Sequence, residues 1–156
     1  MIYNINIRKE GTMKCLDLGS TYMFDETKKA DLLVETCTDG SFCYDEGSNY
    51  GDPVPSAIQM FSDYKQLPFV GETFDEVAGS CFLEEETIDE QLRAYKEVYR
   101  VLKPGGTLTV KGCGPALRRR YYDTATEAGF RLVGKAAIYP DNDEGWLYDM
   151  GYTFRK

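Results

Sequence analysis

The four residues Lys103-Pro104-Gly105-Gly106 restrict what this chain can fold into more than any others, because of what stands on either side of them. Upstream, between Glu90 and Leu102, the residues Leu92, Tyr95, Val98, Tyr99 and Leu102 recur at helical spacing, while Lys96, Glu97, Arg100 and Lys103 fall elsewhere. That spacing predicts an amphipathic helix. Pro104 disfavours the helical conformation at Lys103, and the two glycines after it accept the positive φ that closes a helix and reverses the chain. Downstream, Thr107 to Val110 reads TLTV, a β-branched run suited to a strand in a sheet interior. Before the helix, the apolar run Phe74 to Leu83 lies between Gly71 and Glu84-Glu85-Glu86 and reads as another strand. Strand, helix, turn and strand make a β-α-β unit, whose strands are parallel and whose crossover is almost always right-handed.

The remaining apolar runs extend the same plan. Met13 to Leu18 (MKCLDL) ends in Gly19-Ser20 and reads as the first parallel strand, Ala30 to Glu35 (ADLLVE) as the second, and Ala57 to Ser62 (AIQMFS) as the third. The third strand delivers Asp63 to a strand end beside Tyr64. After the fifth strand, Gly112 to Pro115 makes a turn, and Pro115 is placed to start a helix over Ala116 to Ala128 that Gly129 ends. Phe130 to Tyr139 and Trp146 to Arg155 then read as two strands joined by the turn PDNDEG. Residues 1–12 are either a loose arm or an edge strand. Residues 36–56, with three glycines and two prolines, have neither helical nor strand period and are either a functional flap or an irregular excursion. Together these elements predict a doubly wound α/β fold with a mostly parallel sheet, in one domain spanning residues 1–156 and reduced in its first half.

Composition narrows the function classes. With 18 Lys plus Arg against 26 Asp plus Glu, the net charge of −8 repels a phosphate backbone, so nucleic acid is not an expected partner. Cysteines stand at 15, 37, 43, 81 and 113, an odd number without a CxxC pair or any histidine to complete a zinc set. They read as reduced thiols of a cytoplasmic protein, and no metal site is expected. No apolar run approaches the roughly 20 residues of a membrane span, and the first residues lack the long apolar region of a signal peptide.

The segment DYKQLPFVGETFDEVAGSCFLEEE, followed after a helix by EVYRVLKPGGTLTVKG, resembles the central half of class I S-adenosylmethionine-dependent methyltransferases. The likeness is to the subgroup in which an acidic residue and Leu-Pro-Phe precede the fourth strand. The register holds without a gap from Asp63 through Leu83, and KPGG sits where that family places it. The resemblance implies a seven-stranded sheet closed by the last hairpin, and S-adenosylmethionine as cofactor. It implies a cofactor site made of Asp17, Gly19 and Ser20 after the first strand, Glu35 at the end of the second, Asp63 and Tyr64 after the third, and Ser80 and Cys81 at the end of the fourth. Within it, Asp63 would accept a hydrogen bond from the adenine amino group.

Each of these residues also has a plainer reading. Asp17-x-Gly19 is equally an ordinary strand-to-loop turn, and Thr21, Tyr22 and Met23 stand where the family carries further glycines, so side chains occupy space a ligand would use. Glu35, whose carboxylate can take two ribose hydroxyl donors, is otherwise a solvated strand end. Asp63 is otherwise a turn cap. Leu67, Pro68 and Phe69 read as an apolar lid over the strand ends rather than as chemical groups. Cys81 lacks a histidine to act as its base, which argues against a nucleophile. Glu84-Glu85-Glu86 reads as an acidic helix entrance, with Glu84 alternatively facing the pocket. Arg118-Arg119-Arg120 reads as a solvated helix face, with an anion site as the alternative.

The function implied is methyl transfer to an acceptor that is small, or is supplied by a partner protein or a second copy of the chain. The rival from another class is a non-catalytic binding or regulatory module that keeps the fold. A nucleotide-binding oxidoreductase ranks below both, since no complete G-x-G-x-x-G follows the first strand.

Overall fold

A computed structural model describes residues 15–18, 32–35, 58–61, 63–80, 87–113, 118–137 and 150–156. The arm at 1–12, the flap at 36–56, the acidic run Glu84-Glu85-Glu86 and the turn PDNDEG lie outside the described residues. Seven strands form one sheet: β1 (Cys15–Leu18), β2 (Leu32–Glu35), β3 (Ile58–Phe61), β4 (Phe74–Ser80), β5 (Leu102–Cys113), β6 (Arg131–Ala137) and β7 (Met150–Arg155). Helix α1 (Ile88–Val101) joins β4 to β5, and α2 (Arg118–Glu127) joins β5 to β6.

The sheet order is β3-β2-β1-β4-β5-β7-β6. The first five strands in that order are mutually parallel, and β7 runs antiparallel to both β5 and β6. Chain order reverses between β1 and β4: β2 and β3 add on one side, β5 to β7 on the other. The doubly wound α/β architecture expected from the apolar runs is the one observed, with the closing hairpin as its last two strands.

The core lies where the sheet meets α1 and α2. Leu16, Leu18, Val77, Leu108, Val110 and Phe154 are buried from the sheet, Ala94, Tyr95, Val98 and Val101 from α1, and Tyr121 and Ala125 from α2. Burying an apolar side chain of this size contributes about 1.5–3 kcal/mol. The Phe130 ring joins the two layers, edge-on to Tyr99 at 5.1 Å and tilted against Phe154 at 6.2 Å.

Helix α1 starts two residues earlier than its apolar spacing suggests because Thr87 caps it. The Glu90 amide donates to Thr87 Oγ1 at 3.3 Å while the Thr87 amide donates to Glu90 Oε2 at 2.9 Å, a reciprocal capping box. Its buried stripe is also broader than expected, taking in Gln91, Ala94 and Val101, while Leu92 is only half-buried. The fifth strand begins at Leu102 rather than at Thr107, because Leu102 leaves the helix already extended and pairs with Phe74. Lys103-Pro104-Gly105-Gly106 is then a bulge within β5: two steps along β4, from Phe74 to Glu76, match five along β5, from Leu102 to Thr107.

The two glycines of that bulge serve different needs. Gly105 takes φ 77°, and a Cβ there would meet nothing within 4 Å. At Gly106 a Cβ would stand 2.9 Å from the Lys103 carbonyl oxygen and 3.0 Å from that of Asp75. Two backbones meet there with no space between them. Gly106→Ala is therefore expected to destabilise the protein by about 1–3 kcal/mol through overpacking, and Gly105→Ala by about 1–2 kcal/mol through left-handed strain alone. Urea denaturation of the two variants checks the ranking, which reverses if the bulge can open to admit the Gly106 Cβ.

Candidate functional site

Ligands of open parallel sheets bind beyond the carboxyl ends of the strands, at the point where chain order reverses. Here that point lies between β1 and β4, whose last residues run level: Leu18 pairs with Gly79, and on its other side with Val34. Asp17 lies one residue below, level with Leu33 and Ala78. Glu35 and Ser80 each stand one residue beyond this level, at the ends of β2 and β4. Glu35 pairs in turn with Phe61, two residues before Asp63. Asp17, Glu35, Asp63 and Ser80 are thus gathered at one end of four neighbouring strands. Gly19, Ser20 and Cys81 lie outside the described residues.

Asp63 opens the segment 63–73, which returns the chain from the carboxyl end of β3 to the amino end of β4. Its side chain is 57% exposed. Oδ1 accepts from the Lys65 amide at 2.8 Å, and the Asp63 carbonyl accepts from the Gln66 amide at 3.0 Å, so the residue closes its own turn. Among the described residues the second carboxylate oxygen has no partner. The Lys65 ammonium lies 3.7 Å from Asp63 Oδ1 and 3.9 Å from Glu90 Oε1, linking this turn to the start of α1. Tyr64 is buried in the core.

Leu67 and Phe69 do not form a lid over the strand ends. Both are buried, and Phe69 packs edge-on against Phe74 with ring centroids 5.1 Å apart. The surrounding backbone is held by two side chains that helical spacing alone leaves on the solvent side of α1. Glu97 Oε2 accepts from the Leu67 amide at 3.0 Å, and the Arg100 guanidinium donates to the carbonyls of Leu67 at 3.0 Å and Phe69 at 2.8 Å. Glu97 and Arg100 also join one another through Nε to Oε1 at 2.9 Å and a second nitrogen to Oε2 at 2.8 Å. The hydrogen bond that Arg100 donates to Glu97 raises the Arg100 pKa above its ordinary value, burial opposing it in part. A raised basic pKa stabilises the fold at every pH below the arginine's ordinary titration range, and that contribution is lost only on going above it. The clamp is therefore indifferent to pH across neutrality on the arginine side.

Of the basic cluster, Arg119 is almost fully exposed and sits 3.5 Å from Asp123 one turn along α2, as befits a solvated helix face. Lys103 pairs with Asp75 at 2.7 Å, and Lys156 donates to the Leu102 carbonyl at 2.7 Å. Both bonds brace the bulge in β5. Among the described residues no helix is long and apolar enough to cross a membrane, and no three His, Cys, Asp or Glu side chains converge as metal ligands would.

Residues 47–110 match the model of a methyltransferase domain family. A demethylmenaquinone methyltransferase of Corynebacterium glutamicum is 30% identical over 120 residues, which are 74% of this chain and 51% of that protein. The chain thus spans about half the length of the curated relative it matches. Among solved structures, an S-adenosylmethionine-dependent methyltransferase of Methanosarcina mazei superposes with a TM-score of 0.63 at 14% identity, covering 97% of this chain and 95% of that one. A chain from the complex between the Haloferax volcanii Trm112 methyltransferase activator and its companion protein gives 0.55 at 16% identity, covering 93% and 84%. At such identities the two structures share the fold.

Proposed function

We propose that the chain belongs to the class I S-adenosylmethionine-dependent methyltransferase family, that it binds S-adenosylmethionine at the carboxyl ends of β3, β2, β1 and β4, and that it transfers its methyl group. The observation that carries this reading is the exposed carboxylate of Asp63, held by its own turn at the carboxyl end of β3, on the same edge of the sheet as the ends of β2, β1 and β4. Asp63 would accept from the adenine amino group, with the Tyr64 amide nearby. Glu35 would accept from the ribose hydroxyls. Asp17, Gly19 and Ser20 would border the methionine half, with Ser80 and Cys81 between cofactor and acceptor. Carboxylates suit the group, since they accept hydrogen bonds and a nucleoside offers N–H and O–H donors. When bound, the cofactor supplies an electrophilic methyl group on sulfur, and the protein's contribution is to hold that group in line with the attacking atom.

The acceptor in this reading is a small molecule or one presented by a partner. The second reading, a binding or regulatory module without turnover, is favoured by one feature, the side chains of Thr21, Tyr22 and Met23 where glycines would admit the methionine half.

Calorimetric titration tests the first step. S-adenosylhomocysteine is expected to bind with a dissociation constant of roughly micromolar to millimolar, adenosine alone to bind better than methionine alone, and NAD not to bind. Adenosine binding no better than methionine would remove Glu35 and Asp63 from the site. Binding without release of methyl label to any acceptor in a cell extract would favour the module.

A further inference from the structure

We propose that Glu97 and Arg100 are positioning residues for nucleoside recognition, acting through the backbone of residues 67–69 to hold the Asp63 turn in place. The inference rests on the site reading above and adds two residues that do not touch the site. The segment 63–73 lies between β3 and β4 without a helix of its own, so its polar backbone groups need partners from elsewhere. Its first turn is closed by Asp63 and its last residues by α1: the Glu72 amide donates to the Arg100 carbonyl at 3.0 Å and the Thr73 amide to that of Val101 at 2.8 Å. Between them, Leu67 has its N–H taken by Glu97 and its C=O by Arg100, and Phe69 has its C=O taken by Arg100.

The two side chains thus do for Leu67 what a neighbouring strand would do, presenting an acceptor and a donor in register. They are able to do so because each fixes the other. All three guanidinium nitrogens of Arg100 are engaged, two of them on the Glu97 carboxylate, so the fork cannot rotate away from the carbonyls. Only three residues separate Asp63 from Leu67, too few to absorb a displacement of Leu67 without moving the Asp63 carboxylate. The end of α1 and the nucleoside-facing turn therefore move as one body.

Lysine at position 100 keeps the charge but offers a point donor in place of the planar fork, so it cannot serve both carbonyls and the carboxylate together. Glutamine at 97 keeps an oxygen for the Leu67 amide. Two measurements on Arg100→Lys, Glu97→Gln and Glu97→Ala, made well below their melting temperatures, test the proposal. In the absence of ligand, hydrogen exchange at amides 64–69 of Arg100→Lys should quicken by roughly tenfold or more relative to amides of β4 and β5. With ligand, adenosine affinity should fall by roughly tenfold while methionine affinity is unchanged, and Glu97→Gln should recover most of what Glu97→Ala loses. Wild-type protein that binds adenosine, with Arg100→Lys binding it equally, overturns the proposal. Were wild-type protein to bind no adenosine, the site reading itself would fail, and the exchange measurement would decide the clamp alone: selective quickening at 64–69 upholds it, and uniform or absent quickening overturns it.

Discussion

Replacing Phe69 with alanine is expected to lower the free energy of unfolding by about 3–5 kcal/mol. The ring is 1% exposed, stands edge-on to Phe74, and belongs to the same cluster as Leu67, Val98, Val101 and Leu102. Truncating it empties a space that cannot collapse easily, because the flanking carbonyls are pinned to Arg100. A cavity in a rigid wall costs more than one whose wall can follow. Pro68, half-buried between two buried neighbours, should tolerate alanine within about 1 kcal/mol. Denaturant unfolding of the two variants separates the core reading of Leu67-Pro68-Phe69 from a surface lid. A lid would show the reverse pattern, with stability little changed and ligand affinity reduced in both.

The difference between core and lid is also where the sequence is hardest to read. An apolar triplet beside a strand end satisfies either placement, and the choice is made by Glu97 and Arg100, hydrogen-bonded to it from 30 to 33 residues away. Such pairings have no period and leave no local trace. The five parallel strands, by contrast, are legible because parallel strands favour continuous apolar runs, and LLVE and IQMF are such runs. Two errors at the helix are of another kind. The capping box Thr87-x-x-Glu90 is a readable signal, hidden by the acidic run before it and by a helix start inferred from apolar spacing alone. The buried stripe is misjudged because α1 packs on the sheet and on α2 together, which widens the buried sector past the face marked by large apolar residues.

For the candidate site, legibility divides by how much of the role is topological. Residues at strand ends come together in any doubly wound sheet, so placing Asp17, Glu35, Asp63 and Ser80 needs only correct strands in correct order. The KPGG bulge shows the limit of that reasoning. Its glycines mark a reversal in sequence, yet the backbone reverses inside a strand, because Leu102 gains a ladder partner in Phe74 as soon as it leaves the helix.

Asp63→Asn carries the greatest weight for function, since it asks whether the turn cap and the ligand acceptor are one residue. The cap itself should survive: asparagine keeps an oxygen at Oδ1 for the Lys65 amide, fills nearly the same volume, and favours the same turn. What changes is the second position, where an acceptor becomes an amide donor that could no longer accept from the adenine amino group of the proposed site, and the charge that draws the Lys65 ammonium to 3.7 Å is lost. A hydrogen bond to a charged group contributes about 1.5–3 kcal/mol, so affinity for S-adenosylhomocysteine is expected to fall by roughly ten- to a hundredfold. Because the side chain is 57% exposed, the melting temperature should hardly move. Asp123→Asn on α2, which gives up only an exposed pairing with Arg119, serves as the control and should leave affinity unchanged. Calorimetry and thermal melts on the same samples decide the matter. Unchanged affinity with a melting temperature lowered by several degrees would make Asp63 a cap and nothing more, and the nucleoside would then have to find its acceptor elsewhere along the strand ends.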